Sequence, residues 1–169
     1  MKSSQAVAQS HHVPAADIAE QIKRQLGDTW LPDIYLQRVL RLRTRPYKFE
    51  KLQQGARLAI EHTLLGIELK IGRQRLLCPD LATARYLSVF ARAGCREIAI
   101  PYDITKISHL ADELESSWYR MLLLVEQFSH DQTDRFAARL KNVLFANIRA
   151  EIGAAGSSQS NKDSKQALK

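Results

Sequence analysis

Residues 66–103 of the chain read GIELKIGRQRLLCPDLATARYLSVFARAGCREIAIPYD, and the spacing of their apolar side chains changes along the stretch. Apolar and charged residues alternate over 67–71, a period of two that predicts a half-buried strand. The sequence Gly-Arg-Gln at 72–74 predicts a turn into a second strand over 75–78. This part of the stretch therefore predicts an antiparallel hairpin.

The second half of the same stretch changes to a helical period. Apolar residues over 80–93 predict a helix that has Asp80 as its N-cap and ends at Gly94. Residues 95–100 are rich in apolar side chains and predict a further strand, which Pro101 ends. Strand, helix and strand in this order predict a parallel β-α-β step with a right-handed crossover.

Two long helices are predicted on the C-terminal side. Residues 104–128 carry apolar side chains at intervals of three and four, after Asp103 as the N-cap. Ser129 and Gln132 have the spacing of a capping box that would open a last helix, with Gly153 as its predicted stop. Together these patterns predict a helical hairpin.

Shorter patterns cover the N-terminal side. Residues 14–26 predict an amphipathic helix, and the turn that follows is expected to anchor Trp30 in the core. For 33–46 a helix and a strand are both open, although the alternation in its second half favours a strand after a helical turn or two; Pro46 ends either version. Residues 48–65 have apolar side chains at helical spacing and predict a helix.

These elements predict an α+β fold. A small mixed sheet, formed by the hairpin and the β-α-β step, packs against helices, and the long helical hairpin lies at the C-terminus. We predict a single domain over 14–153, between a flexible arm at 1–13 and a disordered tail at 154–169. A chain of 169 residues is long enough to bury a core of its own.

Composition narrows the class of protein. The chain is 45% hydrophobic and 25% charged, which is ordinary for a globular domain. No apolar run approaches the roughly 20 residues that a membrane-spanning helix needs, and the start lacks the apolar stretch of a secretory signal. Two cysteines, Cys78 and Cys95, are too few for a disulfide framework. We therefore expect a cytoplasmic protein with reduced thiols and no membrane partner.

The positive charge of the chain is concentrated in its middle. Residues 38–96 contain thirteen Lys and Arg against four Asp and Glu, a net charge of +9, whereas the whole chain carries +7. Residues 97–151 contain six against nine, a net charge of −3. Because the charge is segregated, it predicts a basic face rather than a uniformly basic surface.

The candidate binding residues belong to this basic segment and are called the basic cluster below. They are Arg38, Arg41, Arg43, Arg45, Lys48, Lys51, Arg73 and Arg75. Alternating arginines beside Tyr47 and Phe49 would suit a phosphate backbone with aromatic rings stacked on bases. Two other interpretations stay open: the cations pair with the acidic helix 112–126 of the same molecule, or they contact an acidic partner protein. A solvated face without a partner is the remaining alternative.

An enzymatic alternative rests on Asp80 and Asp103. If the strands before them were parallel neighbours, both carboxylates would lie at the carboxyl edge of one sheet, where a metal or phosphate could bind. Both positions are equally explained by helix capping. Zinc-ligand spacings, a P-loop, a dinucleotide fingerprint and a Gly-x-Ser-x-Gly motif are all absent from the sequence. We therefore predict no cofactor and no metal, and favour a non-enzymatic binding or regulatory domain.

The apolar stripe of the helix over 104–128 has two interpretations. In the first it is core, covered by the last helix and the sheet. In the second, part of it stays exposed and forms a homodimer or partner interface, as in a structural subunit of a larger assembly. The sequence leaves both interpretations open.

Overall fold

The computed structural model describes the backbone of residues 13–53 and 55–166, and the side chains as far as Gly156. Helices pack against two small antiparallel sheets, which confirms the predicted α+β class. The predicted arm at 1–13 lies outside the described residues except for Val13.

The elements succeed one another along the chain in the following order: α1 (Ala15–Leu26), a 3₁₀ turn (Gly27–Thr29), α2 (Leu31–Ile34) continued by a π-helical turn (Tyr35–Val39), β1 (Thr44–Lys48), β2 (Leu58–Thr63), β3 (Gly66–Ile71), β4 (Gln74–Cys78), α3 (Leu81–Ala93), β5 (Glu97–Pro101), α4 (Ile104–Ser129) and α5 (Asp134–Gln166).

The N-terminal helices form one side of the core. Helix α1 buries its apolar stripe and ends at Gly27, whose φ of 55° is a conformation that glycine adopts without strain. Trp30 is fully buried, as predicted, and its indole N–H donates to Glu151 of α5 over 3.0 Å. The ambiguous stretch 33–46 is helical up to Val39 and extended from Thr44, so the mixed interpretation is correct.

Strands β2, β3 and β4 form an antiparallel meander that packs on α3. The hairpin between β3 and β4 is confirmed, with Gly72 at a φ of 60° in its two-residue turn. The helix predicted over 48–65 is wrong, since β2 occupies Leu58–Thr63. Gly55 has a φ of 76°, which a helix does not allow. All six residues of β2 pair with β3, and the side chains of Leu58 and Ile60 pack partly buried against the core.

Strand β5 pairs antiparallel with β1, in a sheet separate from the meander. The predicted parallel β-α-β step is therefore wrong, and so is the mixed sheet. Pro46 lies inside β1 rather than at its end. In an antiparallel ladder, hydrogen-bonded pairs alternate with pairs that share no hydrogen bond. The Tyr102 N–H donates to the Arg43 carbonyl over 3.1 Å, so Arg43–Tyr102 is a hydrogen-bonded pair. Three positions further along, Pro46–Ala99 is therefore a pair without hydrogen bonds. The proline nitrogen consequently faces away from β5, where a missing N–H costs nothing.

The outer edge of β5 is closed by side chains instead of a third strand. The Ala99 N–H donates to the Tyr35 hydroxyl oxygen over 2.9 Å, and the Ala99 carbonyl accepts from the Tyr86 hydroxyl over 2.6 Å. Phe90 lies beside both rings, with centroid distances of 5.5 Å to Tyr35 and 5.0 Å to Tyr86. This aromatic group joins the π-helical turn, α3 and β5 into one core.

The C-terminal helices confirm the predicted helical hairpin but not its boundaries. Trp118 of α4 stacks on Phe145 of α5 with ring centroids 4.9 Å apart. The N-cap of α5 is Thr133, whose hydroxyl accepts from the Phe136 N–H, so the Ser129 capping box is wrong.

Gly153 does not stop α5, which continues to Gln166 and includes most of the stretch predicted as a disordered tail. A single glycine costs a helix only about 1 kcal/mol, and Ile148 and Ile152 anchor this turn of α5 in the core. Of the predicted tail, 167–169 lie outside the described residues.

Candidate functional site

Three arginines around the start of β1 are exposed and have no carboxylate partner among the described residues. They are Arg41, Arg43 and Arg45. Arg43 and Arg45 are alternate residues of an extended segment, so their side chains leave the same face about 7 Å apart along it. We call this group, together with Tyr102, the arginine strand.

Tyr102 completes the arginine strand from across the ladder. The Arg43 guanidinium carbon lies 5.1 Å from the centroid of the Tyr102 ring, a cation–π contact. The tyrosine is 54% exposed, so the ring has a free face beside the cation. The contact holds the guanidinium in place while its N–H donors stay accessible to an anion.

The aromatic residues predicted for this site do not serve it. Phe49 is buried, and Tyr47 packs against it edge-on with centroids 5.1 Å apart. Burial also raises the pKa of the Tyr47 hydroxyl above its ordinary value. Tyr102 was not predicted, because only the pairing of β1 with β5 brings it to Arg43.

Other members of the basic cluster are paired within the molecule. Arg38 contacts Glu113 of α4; in the part of the chain that the structure describes, no other member of the cluster forms an ion pair with the acidic helix. Lys48 lies 3.7 Å from Glu97 across the ladder, and Arg75 lies 3.8 Å from Glu68. Both side chains of the Lys48–Glu97 pair are largely exposed, so this pair contributes little to stability. Glu68 is buried, so Arg75 is the partner of a shielded carboxylate.

The acidic face of α4 is occupied mainly by Arg85, which lies outside the predicted cluster. Its guanidinium contacts Asp112 at 2.6 Å and Glu115 at 2.9 Å, and these hydrogen bonds raise the pKa of Arg85 above its ordinary value. Three carboxylates of α4, those of Asp112, Glu113 and Glu115, are thus engaged by Arg38 and Arg85. None of them reaches the arginine strand in the described part of the structure.

Lys51 and Arg73 are also exposed and unpaired within the described ranges, and neither belongs to β1. Arg73 occupies the turn between β3 and β4. The neighbouring Gly72 N–H donates to the Arg57 carbonyl over 2.8 Å, so Arg57 joins Arg73 at this end of the meander. The basic cluster is therefore divided between two sheets.

Asp80 and Asp103 each cap their own helix. The Asp80 carboxylate accepts from the Thr83 N–H over 2.7 Å, and the Asp103 carboxylate accepts from the Thr105 N–H over 3.0 Å. The hydrogen bonds from Thr105 lower the pKa of the exposed Asp103. Because β4 and β5 belong to different sheets, the shared edge expected for the two carboxylates does not exist. Within the described residues, no group of three or more His, Cys, Asp or Glu side chains is arranged to hold a metal.

A groove of about 650 Å³ lies beside β1 and is lined by Thr44, Pro46 and Lys48. Gly153 and Gly156 of α5 form part of its other side, where the missing side chains leave the space open. Arg41, Arg43 and Arg45 are not among the residues that line the groove, so the groove is separate from the arginine strand.

Comparison of the chain with protein-family models, with curated proteins and with solved structures finds no match. Among the helices of the described residues, none combines the length and the apolar character that crossing a membrane requires.

Proposed function

We propose that the chain is a non-catalytic binding module whose arginine strand contacts the phosphate backbone of nucleic acid. The observation that supports this function is the exposed set Arg41, Arg43 and Arg45, for which the described residues offer no carboxylate. Unpaired arginines that are close together along the chain repel each other, and a run of phosphates relieves that repulsion with bidentate hydrogen bonds.

Tyr102 favours nucleic acid over an acidic protein as the partner. A base can stack on the free face of the tyrosine ring while Arg43, held on that ring, contacts the adjoining phosphate. An acidic peptide offers carboxylates to the arginines but nothing that requires the ring. Because extended single strands present unstacked bases, we expect single-stranded nucleic acid to bind more tightly than duplex.

The test is fluorescence anisotropy with a labelled single-stranded oligonucleotide and the matching duplex across a salt series. Three phosphate contacts predict a slope of log K against log salt of about −2 for the single strand, at roughly −0.7 per contact. Replacing Arg41, Arg43 and Arg45 together by Gln should remove most of that slope. Tyr102→Ala should weaken binding by roughly tenfold with little change in slope, since one stacked base contributes about 1–3 kcal/mol.

The matched control replaces Arg135, Arg139 and Lys141 of α5 by Gln. These side chains are exposed, and the substitution removes the same formal charge from the other end of the sequence. Binding that falls equally in both triple variants would reflect net charge alone and would refute the assigned surface. No binding at low salt, together with capture of an acidic protein that the arginine variant loses, would identify the partner as protein.

Both cysteines are free and buried, which is consistent with a reducing compartment such as the cytoplasm.

Tyr119 and Leu123 are 54% and 58% exposed and lie one turn apart on α4, whereas most of the apolar stripe of that helix is buried. We propose this exposed pair as the site where α4 contacts a second copy of the chain.

A further inference from the structure

The outer edge of β2 is open in the described part of the chain, where no strand pairs with its far side. The Gly72 N–H donates to the Arg57 carbonyl over 2.8 Å, so these two residues form a hydrogen-bonded pair just before β2. Because bonded and unbonded pairs alternate along an antiparallel ladder, the N–H and carbonyl groups of Leu58, Ile60 and His62 point away from β3. Three residues of one strand therefore present free backbone groups on the same edge.

Strand β2 lacks the features that usually protect such an edge, which are proline, lysine, a bulge or a covering segment. Its sequence contains neither proline nor lysine, and all its residues pair with β3 in an unbroken register. The other edge of the meander, β4, presents outward groups only at Arg75 and Leu77, and Pro79 follows it. The edge of β2 is therefore the better template for another strand.

The turn after β2 carries two leucines that the fold does not bury. Leu64 is fully exposed and Leu65 is 77% exposed, and they fill the two central positions of the turn between β2 and β3. Two-residue turns favour glycine, asparagine and aspartate, and neither leucine has a positive φ. Neither the turn nor the core therefore accounts for these leucines. Apolar side chains beside an open strand edge indicate that another protein surface covers them.

The face of the meander that lies away from the core carries two rows of like charge. In the acidic row Glu61 lies directly opposite Glu68, and in the basic row Lys70 lies directly opposite Arg75. Like charges in such positions repel each other, and the 2.8 Å contact of Lys70 with Glu61 offsets only part of that repulsion. The basic row reaches β2 at Ala59. At the open edge, the acidic row thus ends in a carboxylate and the basic row ends in a small side chain.

We propose that β2 pairs antiparallel with β2 of a second copy of the chain, around a two-fold axis at Ile60. Leu58 then lies opposite His62 of the second copy, and Ile60 lies opposite its own equivalent. All the outward backbone groups of both strands meet in this register, forming about six hydrogen bonds. Side chains that point the same way also meet, so the apolar faces of the two meanders form one continuous surface.

The charges select this register over its neighbours. Glu61 lies opposite Ala59 of the second copy, so the acidic row of each copy continues into the basic row of the other. An axis at Glu61 would align the two acidic rows, and an axis at Ala59 would align the two basic rows, both of which are unfavourable. The same register brings Leu64 beside Ala56 of the second copy. The exposed turn is thereby removed from water.

This contact is separate from the one proposed at Tyr119 and Leu123 of α4. The test therefore uses the full-length chain with Tyr119→Glu and Leu123→Glu, in which only the pairing of β2 remains. Sedimentation velocity should show a dimer whose population rises with concentration.

Adding His62→Pro should raise the dimer dissociation constant at least tenfold. It removes an outward N–H from each copy and places a ring at the edge, while the hydrogen bonds to β3 stay intact. Leu77→Pro is the matched control, because it makes the same change at an outward position of β4 and should leave the dimer unchanged.

A disulfide cross-link tests the register. The variants Ala59→Cys and Glu61→Cys, mixed in equal amounts under mild oxidation, should form a covalent dimer. Residues directly opposite on antiparallel strands have Cβ atoms about 4.5–5.5 Å apart, within reach of a disulfide after a small adjustment. Each variant alone should cross-link several-fold less, because its cysteines are then diagonal neighbours. The natural cysteines, Cys78 and Cys95, are buried and do not compete.

The proposal is overturned if the α4 variant is a monomer at every concentration, or if Leu77→Pro disrupts the dimer as strongly as His62→Pro. It is equally overturned if either cysteine variant alone cross-links as efficiently as the mixture. Circular dichroism checks that each variant folds, and the cross-link decides the question if His62→Pro does not. None of these results bears on the arginine strand, which belongs to the other sheet.

Discussion

At the residue scale, burial makes Cys95 chemically inert at neutral pH. Desolvation raises the pKa of its thiol from the ordinary value of 9.0 to about 12. The unfolded chain therefore loses this proton at a lower pH than the folded chain. The contribution of Cys95 to stability is complete below about pH 9 and is lost as the pH rises through about 12, by at most about 1.4 kcal/mol for each pH unit.

We predict that Cys95→Ala flattens the fall in unfolding free energy between about pH 9 and 12. Urea melts of both proteins across this range would measure it. The buried tyrosine hydroxyls, whose pKa values are also raised, produce a fall in the same direction in both proteins. The difference between the two curves therefore reports Cys95 together with its electrostatic effect on Tyr35. Parallel curves would contradict the assignment.

At the element scale, β5 depends on two hydroxyl groups. Tyr86→Phe removes the donor to the Ala99 carbonyl and should lower the unfolding free energy by about 1–3 kcal/mol, because a buried acceptor loses its partner. Tyr35→Phe should act similarly through the Ala99 N–H. The loss of unfolding free energy in the double variant should differ from the sum of the two single losses, since both hydroxyls bind the backbone of Ala99.

Tyr119→Phe provides the matched control for these variants. Its ring is 54% exposed, and its hydroxyl has no partner among the described side chains. Loss of that hydroxyl should change stability by less than about 0.5 kcal/mol. If all three variants melted alike in urea, the hydroxyl bonds to Ala99 would contribute nothing to β5.

The same elements show how far local sequence determines structure. Helix α4 follows from the periodicity of its apolar residues and from its capping aspartate. The hairpin of β3 and β4 follows from alternation and one turn glycine. Each of these signals lies within or next to the element that it predicts. The partner of β5 does not, because β1 lies about fifty residues earlier and neither strand specifies its neighbour. The helix predicted over 48–65 was wrong for another reason. The apolar spacing of this segment fits a helix, and only contact with β3 selects the strand.

The candidate site divides in the same way. Charge segregation identified the arginines, because exposure of Arg41, Arg43 and Arg45 depends mainly on their own solvation. The sequence could not show that Arg38, unlike these arginines, has an ion-pair partner, since Glu113 lies 75 residues away along the chain. The role of Tyr102 required the fold, because Tyr102 meets Arg43 only when β1 and β5 pair.

At the scale of the whole molecule, self-association is the property to measure. We predict that the proposed contact through α4 gives a dimer whose population rises with concentration, because burying Tyr119 and Leu123 removes exposed apolar surface from water. Sedimentation velocity over a wide concentration range would detect it. Tyr119→Glu combined with Leu123→Glu should remove this contact and leave only the pairing of β2, while Leu36→Glu, at another exposed apolar position, should leave the contact unchanged. A monomeric natural protein at every concentration would exclude the contact.

The two-stranded sheet of β1 and β5 has a consequence for solubility over time. An open strand edge is a template on which other chains add to form aggregates and fibrils. On β1, Pro46 directs its ring nitrogen outward and has no N–H to donate. On β5, Pro101 is likewise without an N–H, and both polar groups of Ala99 are already used by tyrosines. A proline therefore removes one outward donor from each edge, and the tyrosines occupy a second residue on β5. These features disfavour templated strand addition to a sheet that is too small to be protected by burial.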